Sequence, residues 1–186
     1  MTNINRLCGM RCYLIGAMDR AKDGGLGWRQ TIKEFLRTKG VVVLDPCDKP
    51  IDIGQECIED RRVRDAMKQS GQYEELAQMV KLLRVVDLRM TDMADFVIVH
   101  LDTDIHACGT YEELFWANRL KNPVLIVCKQ GKVGCPDWLF GVVPHQHIFD
   151  DFEQLCEYLE HVAHASEVNH MHRWTFFNYE ELKCPT

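Results

Sequence analysis

A chain of 186 residues with 46% apolar and 27% charged side chains has room for one domain with a substantial core. Its net charge of −6 excludes a nucleic-acid polymer as the main partner, because phosphate backbones need clustered lysine and arginine. No apolar run reaches the length of a bilayer span, and the start "MTNINRLCGMRC" lacks the apolar stretch of a signal peptide, so the expectation is no membrane partner and a cytoplasmic location.

The segment "RCYLIG", ending at Gly16, is a buried strand by type, followed by a loop rich in glycine and charge, "AMDRAKDGGLG". "WRQTIKEFLRTKG" sets Trp28, Ile32, Phe35 and Leu36 on one helical face and stops at Gly40. "VVVLDP" is the next strand, closed by Asp45-Pro46. A loop from Asp48 to Gly54 leads into a charged helix from about Glu56 to Gln69. A second helix, from Tyr73 to about Thr91, carries Tyr73, Leu76, Val80, Leu83 and Met90 at helical spacing. "DFVIVHL" is a third strand, "TYEELFWANRL" a helix and "NPVLIVC" a fourth strand. The stretch "QGKVGCPDWLFGVVPHQ" reads as loop, "HIF" as a short fifth strand, and "DDFEQLCEYLEHVAHA" as a helix with Phe152, Leu155, Leu159 and Val162 inward.

Strands alternate with helices, and each strand is a continuous apolar run. That pattern predicts an α/β fold: a single doubly wound domain over residues 1–165, with a central parallel sheet of about five strands flanked by helices, Rossmann- or flavodoxin-like. Residues 166–186 form an aromatic tail, which packs on its own domain or, as we expect, on a neighbouring subunit of a homo-oligomer. The nine cysteines include no CxxC pair or zinc-type spacing, and we read them as reduced and mostly structural. Ligands in such sheets bind beyond the carboxyl ends of the strands. Three loops therefore matter: Gly16 to Gly27, Asp45 to Gly54, and Asp102 to Thr110.

The last of these loops leads into "GTYEELF". One reading is a capping box, with Thr110 as N-cap and Glu113 as its N3 partner, worth about 1 kcal/mol of helix stability. The other is chemical. Gly109 allows close approach of a ligand, and a glutamate at a helix start stays ionised at neutral pH, which suits a carboxylate nucleophile. Such a nucleophile is apt for attack on an anomeric carbon, with a second acid serving the leaving group. Asp87, Asp102 and Asp104 are the candidates for that second acid.

These motifs resemble the nucleoside 2-deoxyribosyltransferase family. The first strand "YLIGAM" looks like the family's opening strand, with Tyr13 at its tyrosine position. "DLRMTDMADFVIVHLD" resembles its helix-to-strand segment, with Asp87 and Asp95 as the two aspartates. Gly109, Glu113 and Ala117 fall on its glycine, nucleophile and alanine. Two positions depart: Ala107 stands where the family often has an aspartate, and Phe115 where it commonly has glycine. "GTYEELF" also looks like part of the motif of phosphoribohydrolases that release cytokinin bases. Both families act on the bond between sugar and base.

The resemblance implies cleavage of the N-glycosidic bond of a 2′-deoxynucleoside, or its 5′-monophosphate, through a glutamyl-deoxyribosyl intermediate that passes to another base or to water. The partners are then a small nucleoside or nucleotide and a free base, and no metal or organic cofactor is needed. Glu113 is implied to attack C1′, Tyr13 to hold that carboxylate, and Asp87 to contact or help protonate the base. Gly16, Met18, Asp19 and Arg20 would meet the sugar or its 5′ substituents, beside Gly109 and Thr110. Arg20, Lys22 or Arg29 would take a 5′-phosphate. Asp102 or Asp104 would stand in for the aspartate absent at Ala107. Trp28 either stacks on a base or packs in the core. His145 and Gln146 fall where the family contributes a residue across a subunit interface. The alternative is a catalytically inactive nucleotide-binding, sensing or sequestering protein of the same fold, which Ala107 and Phe115 would permit.

Overall fold

In the computed structural model, which describes residues 5–18, 20–55, 60–164 and 173–177, five strands alternate with helices. The strands are β1 (Arg11–Gly16), β2 (Val42–Leu44), β3 (Phe96–Leu101), β4 (Val124–Cys128) and β5 (Ile148–Phe149). The helices are α1 (Leu26–Thr38), α2 (Asp60–Gln69), α3 (Tyr73–Met93), α4 (Cys108–Arg119), α5 (Asp137–Phe140) and α6 (Phe152–His164). All strand pairs are parallel, in the order β2-β1-β3-β4-β5. This is the flavodoxin-like order, whose direction of winding reverses between β1 and β3.

Both faces of the sheet are covered, which is why its strands read as unbroken apolar runs. Successive side chains point to opposite faces. Tyr13, Ile15, Val97, Val99 and Ile126 join one core, closed by Val86 and Met90 of α3 and Leu114 and Ala117 of α4. Cys12, Leu14, Phe96, Ile98 and Leu125 join the other, closed by Ile32 and Leu36 of α1 and Leu155, Leu159 and Val162 of α6. The edge strands β2 and β5 are the shortest, three and two residues, which leaves little unpaired backbone exposed.

Several expectations need correction. The stretch after β4 is not plain loop: it holds 3-10 turns at Lys132–Gly134 and His145–His147, with α5 between them. The apolar stripe expected along α3 turns inward only in its second half. Tyr73 is 66% and Val80 40% exposed, whereas Val86, Met90 and Thr91 are buried. A 21-residue helix spans about 31 Å, against roughly 20 Å for a six-residue strand, so the first half of α3 overhangs the sheet. The overhang lies above the carboxyl ends of the strands.

The described part of the tail packs on its own domain. Trp174 lies 5.1 Å from Phe96 between ring centroids, and its indole donates to the Tyr158 hydroxyl at 2.9 Å. The rest of the tail lies outside the described residues, as does the expected beginning of α2. Cys8, Cys12, Cys47, Cys108, Cys128, Cys135 and Cys156 are all free thiols. Among the described residues, no helix is long and apolar enough to cross a membrane.

Candidate active site

The turn after β1 is built by glycine and one aspartate. Gly25 adopts φ 75°, and a Cβ there would collide with Arg29 and with the Ala17 carbonyl. Asp23 accepts from the amides of Gly25 and Gly27, both at 2.9 Å, and those bonds hold its carboxyl below the usual range. The chain thereby turns sharply into α1 and leaves Gly16–Met18 bordering open space at the sheet's carboxyl edge.

That space is a cleft of about 300 Å³ at the point where the winding of the sheet reverses. Gly16, Ala17, Met18 and Arg20 line it from the β1 side, and Pro46 from the end of β2. Asp87 enters from the overhanging α3, and residues 106–110 and Glu113 come from the start of α4. Tyr13, wholly buried on β1, reaches across beneath the cleft and donates its hydroxyl to Glu113 Oε1 at 2.8 Å. Among the residues singled out in the sequence, the fold thus brings together Tyr13, Gly16, Met18, Arg20, Asp87, Gly109, Thr110 and Glu113.

The capping box does not form. The N-cap of α4 is Ala107 and makes no side-chain cap bond, so Thr110 and Glu113 sit one turn further into the helix than a box requires. The Glu113 carboxylate is thereby released from its own helix and turns to Tyr13. Nor does it have the low pKa expected at a helix start. Burial, and next the charge of Asp87, push it up to about 8, against the opposing Tyr13 hydrogen bond and the more distant Arg29 and Lys49. The expectation of a glutamate held ionised at neutral pH is not met: burial favours its protonated form.

Asp87 is also raised by burial, with Lys49 acting in the opposite direction. Its Oδ1 lies 2.7 Å from Lys49 Nζ, an ion pair whose angle falls outside hydrogen-bond geometry. Tyr13 is held well above its ordinary value by burial and by the Glu113 charge, so it remains a donor.

Other expected residues lie elsewhere. Trp28 packs against the core face opposite the cleft, stacked on Phe152 at 5.7 Å between centroids and 5.2 Å from His100. Asp102 is bound by Lys129 at 2.6 Å and Gln130 at 2.7 Å, and Asp104 by Gln130 at 3.0 Å. Neither borders the cleft, so neither replaces the aspartate absent at Ala107, which itself lines the wall. His145 and Gln146 are exposed on their 3-10 turn, away from the cleft. Arg29 cannot serve a phosphate: it is 1% exposed and spent on the Gly16 and Gly25 carbonyls. Lys22 is exposed and off the lining, and Asp19 lies outside the described residues. Phe115 stacks on Tyr111 at 6.2 Å and points away from the cleft, so it does not narrow it.

Sequence reasoning missed Ala17, Pro46, His106, Cys108 and Lys49. Ala17 and Pro46 border the cleft from just past the ends of β1 and β2, and His106 and Cys108 from the start of α4. Lys49, between Asp48 and Pro50 in the loop that follows β2, gave no signal of its burial.

No family model matches the chain, and no curated protein matches it. Solved structures do. A 2-deoxyribosyltransferase from Bacillus psychrosaccharolyticus superposes with a TM-score of 0.54 at 16% identity, covering 80% of this chain and 91% of that one. A 2-deoxyribosyltransferase from Leishmania mexicana matches at 20% identity and a TM-score of 0.47, over 82% of this chain and 98% of its own. A CMP N-glycosidase from Clostridium botulinum matches at 15% and 0.45, over 81% and 98%. What this chain has in common with the Bacillus enzyme is its fold.

Proposed function

We propose that the protein cleaves the N-glycosidic bond of a 2′-deoxynucleoside or its 5′-monophosphate through a covalent bond between Glu113 and C1′ of the sugar. The observation that carries this reading is the 2.8 Å hydrogen bond from Tyr13 to Glu113, at the wall of a cleft that also holds the second carboxyl of Asp87. A carboxylate nucleophile paired with an acid is the equipment for displacement at an anomeric centre. The name of the Bacillus enzyme that shares the fold points to the same sugar.

Asp87 gives its proton to the base nitrogen as the C1′–N bond breaks, and the bonding electron pair leaves with the base. A Glu113 oxygen forms the new bond to C1′. Another base or water then attacks C1′ and releases Glu113, and Asp87 recovers a proton from the incoming nucleophile. Tyr13 donates to the Glu113 oxygen throughout, favouring its charged form in a buried setting. Arg20, which lines the cleft, would meet a 5′-phosphate. No step calls for a metal or organic cofactor.

A second reading rests on Ala107. With a methyl group in the wall where the family often has an aspartate, the cleft would bind a nucleotide without turning it over. Incubation with each deoxynucleoside or its monophosphate and a different free base separates the two. Exchanged nucleoside, lost in Glu113→Ala, supports transfer, and free base without exchange supports hydrolysis. Binding with no cleavage favours the sensor.

The protein is also proposed to form a homo-oligomer. Leu82 and Val85 of α3 and Phe115, Trp116 and Leu120 of α4 are apolar and exposed on two helices that pack together, a surface suited to a second copy.

A further inference from the structure

One charged group beside the cleft has no part in the chemistry above. The loop between β2 and α2 is largely exposed, with Ile51 at 45% and Ile53 at 54%, yet it sinks the side chain of Lys49 wholly into the interior. There the ammonium lies 2.7 Å from Asp87 Oδ1 and donates to the Gly54 carbonyl at 2.5 Å. The Lys49 carbonyl in turn accepts from Gln55 Nε2 at 3.1 Å, closing the loop into a ring. Gly54, at φ 66°, lies against Leu82 and Val86 of α3, so the ring is seated on the helix that carries Asp87. Pro46, at the start of the same loop, forms part of the cleft wall. Taking an ammonium out of water costs several kcal/mol, and an apolar side chain would fill the space more favourably if packing were the purpose.

Resting on the N-glycosidic reading, we propose that Lys49 is a positioning residue: fixed between Asp87 and the Gly54 carbonyl, its charge determines which of the two carboxyl groups in the cleft holds their shared proton. The cation stands against Asp87 and favours its anionic form, which biases the proton toward Glu113. Before attack the proton must cross to Asp87, freeing Glu113 as the nucleophile. When Asp87 then passes that proton to the departing base, Lys49 stands ready to stabilise the carboxylate that remains. A cation at 2.7 Å makes Asp87 a stronger acid at the moment of bond breaking.

Other groups share this environment. Tyr13 faces Glu113 from β1, Arg29 approaches from α1, and Arg20, His106 and Cys108 border the same space. Asp45 is already engaged by Arg29 and Lys33. Among the described residues, Lys49 makes the ion pair to Asp87.

The test starts without substrate. Side-chain carboxyl 13C signals of glutamate are titrated in the wild type, Lys49→Met and Lys49→Arg, with the Glu113 signal assigned by its loss in Glu113→Gln. Lys49→Gln replaces the methionine variant if that one fails to fold. The wild-type midpoint is expected near 8, falling by about 1 unit in Lys49→Met, where Asp87 competes for the proton, and staying in place when arginine keeps the charge. An unmoved or raised midpoint in Lys49→Met overturns the proposal, and so does an equal displacement in both variants, which would mark a packing effect alone. In a second arm, the alkaline limb of base release from a deoxynucleoside, set by loss of the shared proton from the pair, is expected to move to higher pH in Lys49→Met and to stay in place in Lys49→Arg; a uniform loss at every pH overturns the role. Absence of base release by the wild type, with the titration as expected, overturns the N-glycosidic reading and with it the part of Lys49 in a reaction, while its charge coupling to the pair stands.

Discussion

The guanidinium of Arg29 donates to the carbonyl oxygen of Gly16 at 2.9 Å, so the last residue of β1 hangs on a side chain from α1. The same group reaches the Gly25 carbonyl at 2.8 Å, and its Nε lies 3.6 Å from Asp45. One buried cation thus ties together the strand end, the turn and the carboxyl end of β2 that together form one side of the cleft.

Replacing Arg29 by Met should therefore cost about 3 kcal/mol, the scale for breaking a buried ion pair, and lower Tm by roughly 6–12 °C in a chain of this size. Lysine at this position should not restore it, because an ammonium lacks the planar fork that meets two carbonyls at once. Urea unfolding of the two variants checks both statements.

Glu113 gives stability a particular dependence on pH. Its folded value of about 8 lies above the unfolded value of about 4.3, so between those limits the unfolded chain holds fewer protons than the folded one. Stability contributed by this group therefore falls as pH rises from about 4.3 to 8 and levels off beyond. Glu113→Gln should be more stable than the wild type at pH 8.5, on the order of 5 kcal/mol, with the gain vanishing near pH 4. Thermal melts across that range decide the matter.

Tyr13→Phe removes the hydrogen bond to Glu113 and leaves the ring in its core position. Losing a bond to a buried charge costs about 1.5–3 kcal/mol, which corresponds to a fall of roughly 10–100-fold in kcat for base release. The midpoint of Glu113 should rise in the same variant.

Gly109 lies in the first turn of α4, and a Cβ built there meets nothing within 4 Å. Gly109→Ala is expected to stabilise the fold by about 0.5 kcal/mol, since alanine loses less backbone freedom in a helix. The added methyl group enters the cleft, so KM should rise while Tm does not fall. A drop in both would show that the position serves the fold.

If a second copy covers α3 and α4, Leu82→Glu with Val85→Glu should shift sedimentation velocity toward the monomer. The melting curve should change little, because both side chains are already exposed in the single chain, at 54% and 62%. An unchanged sedimentation coefficient would remove this face from consideration.

Much of the sheet could be read directly, because a strand buried on both faces leaves an unmistakable apolar run. β1 has the bounds expected for it, and β3 and β4 lie within the expected runs. The inward stripe of α3 misled because helical spacing records only that residues share a face. Whether that face meets a sheet depends on how far the helix extends beyond it. Tyr13 and Glu113 came together as expected. The capping box did not, because cap geometry turns on where the first helical residue falls, and α4 starts at Cys108, ahead of Thr110. Trp28 was readable as core from its spacing with Ile32. Lys49 was not, since no pattern of polarity announces that an exposed loop will bury its own lysine.

The hydrogen bond between Tyr13 and Glu113 spans 100 positions of the chain. Contacts so distant in sequence close only late, once the loop between them has been drawn in. On the proposed N-glycosidic reading, a nascent or partly melted chain has no armed carboxylate, and reactivity would switch on together with the pairing of β1 and β3. Heating should extinguish the two in step, which makes catalytic competence a direct report of the intact sheet.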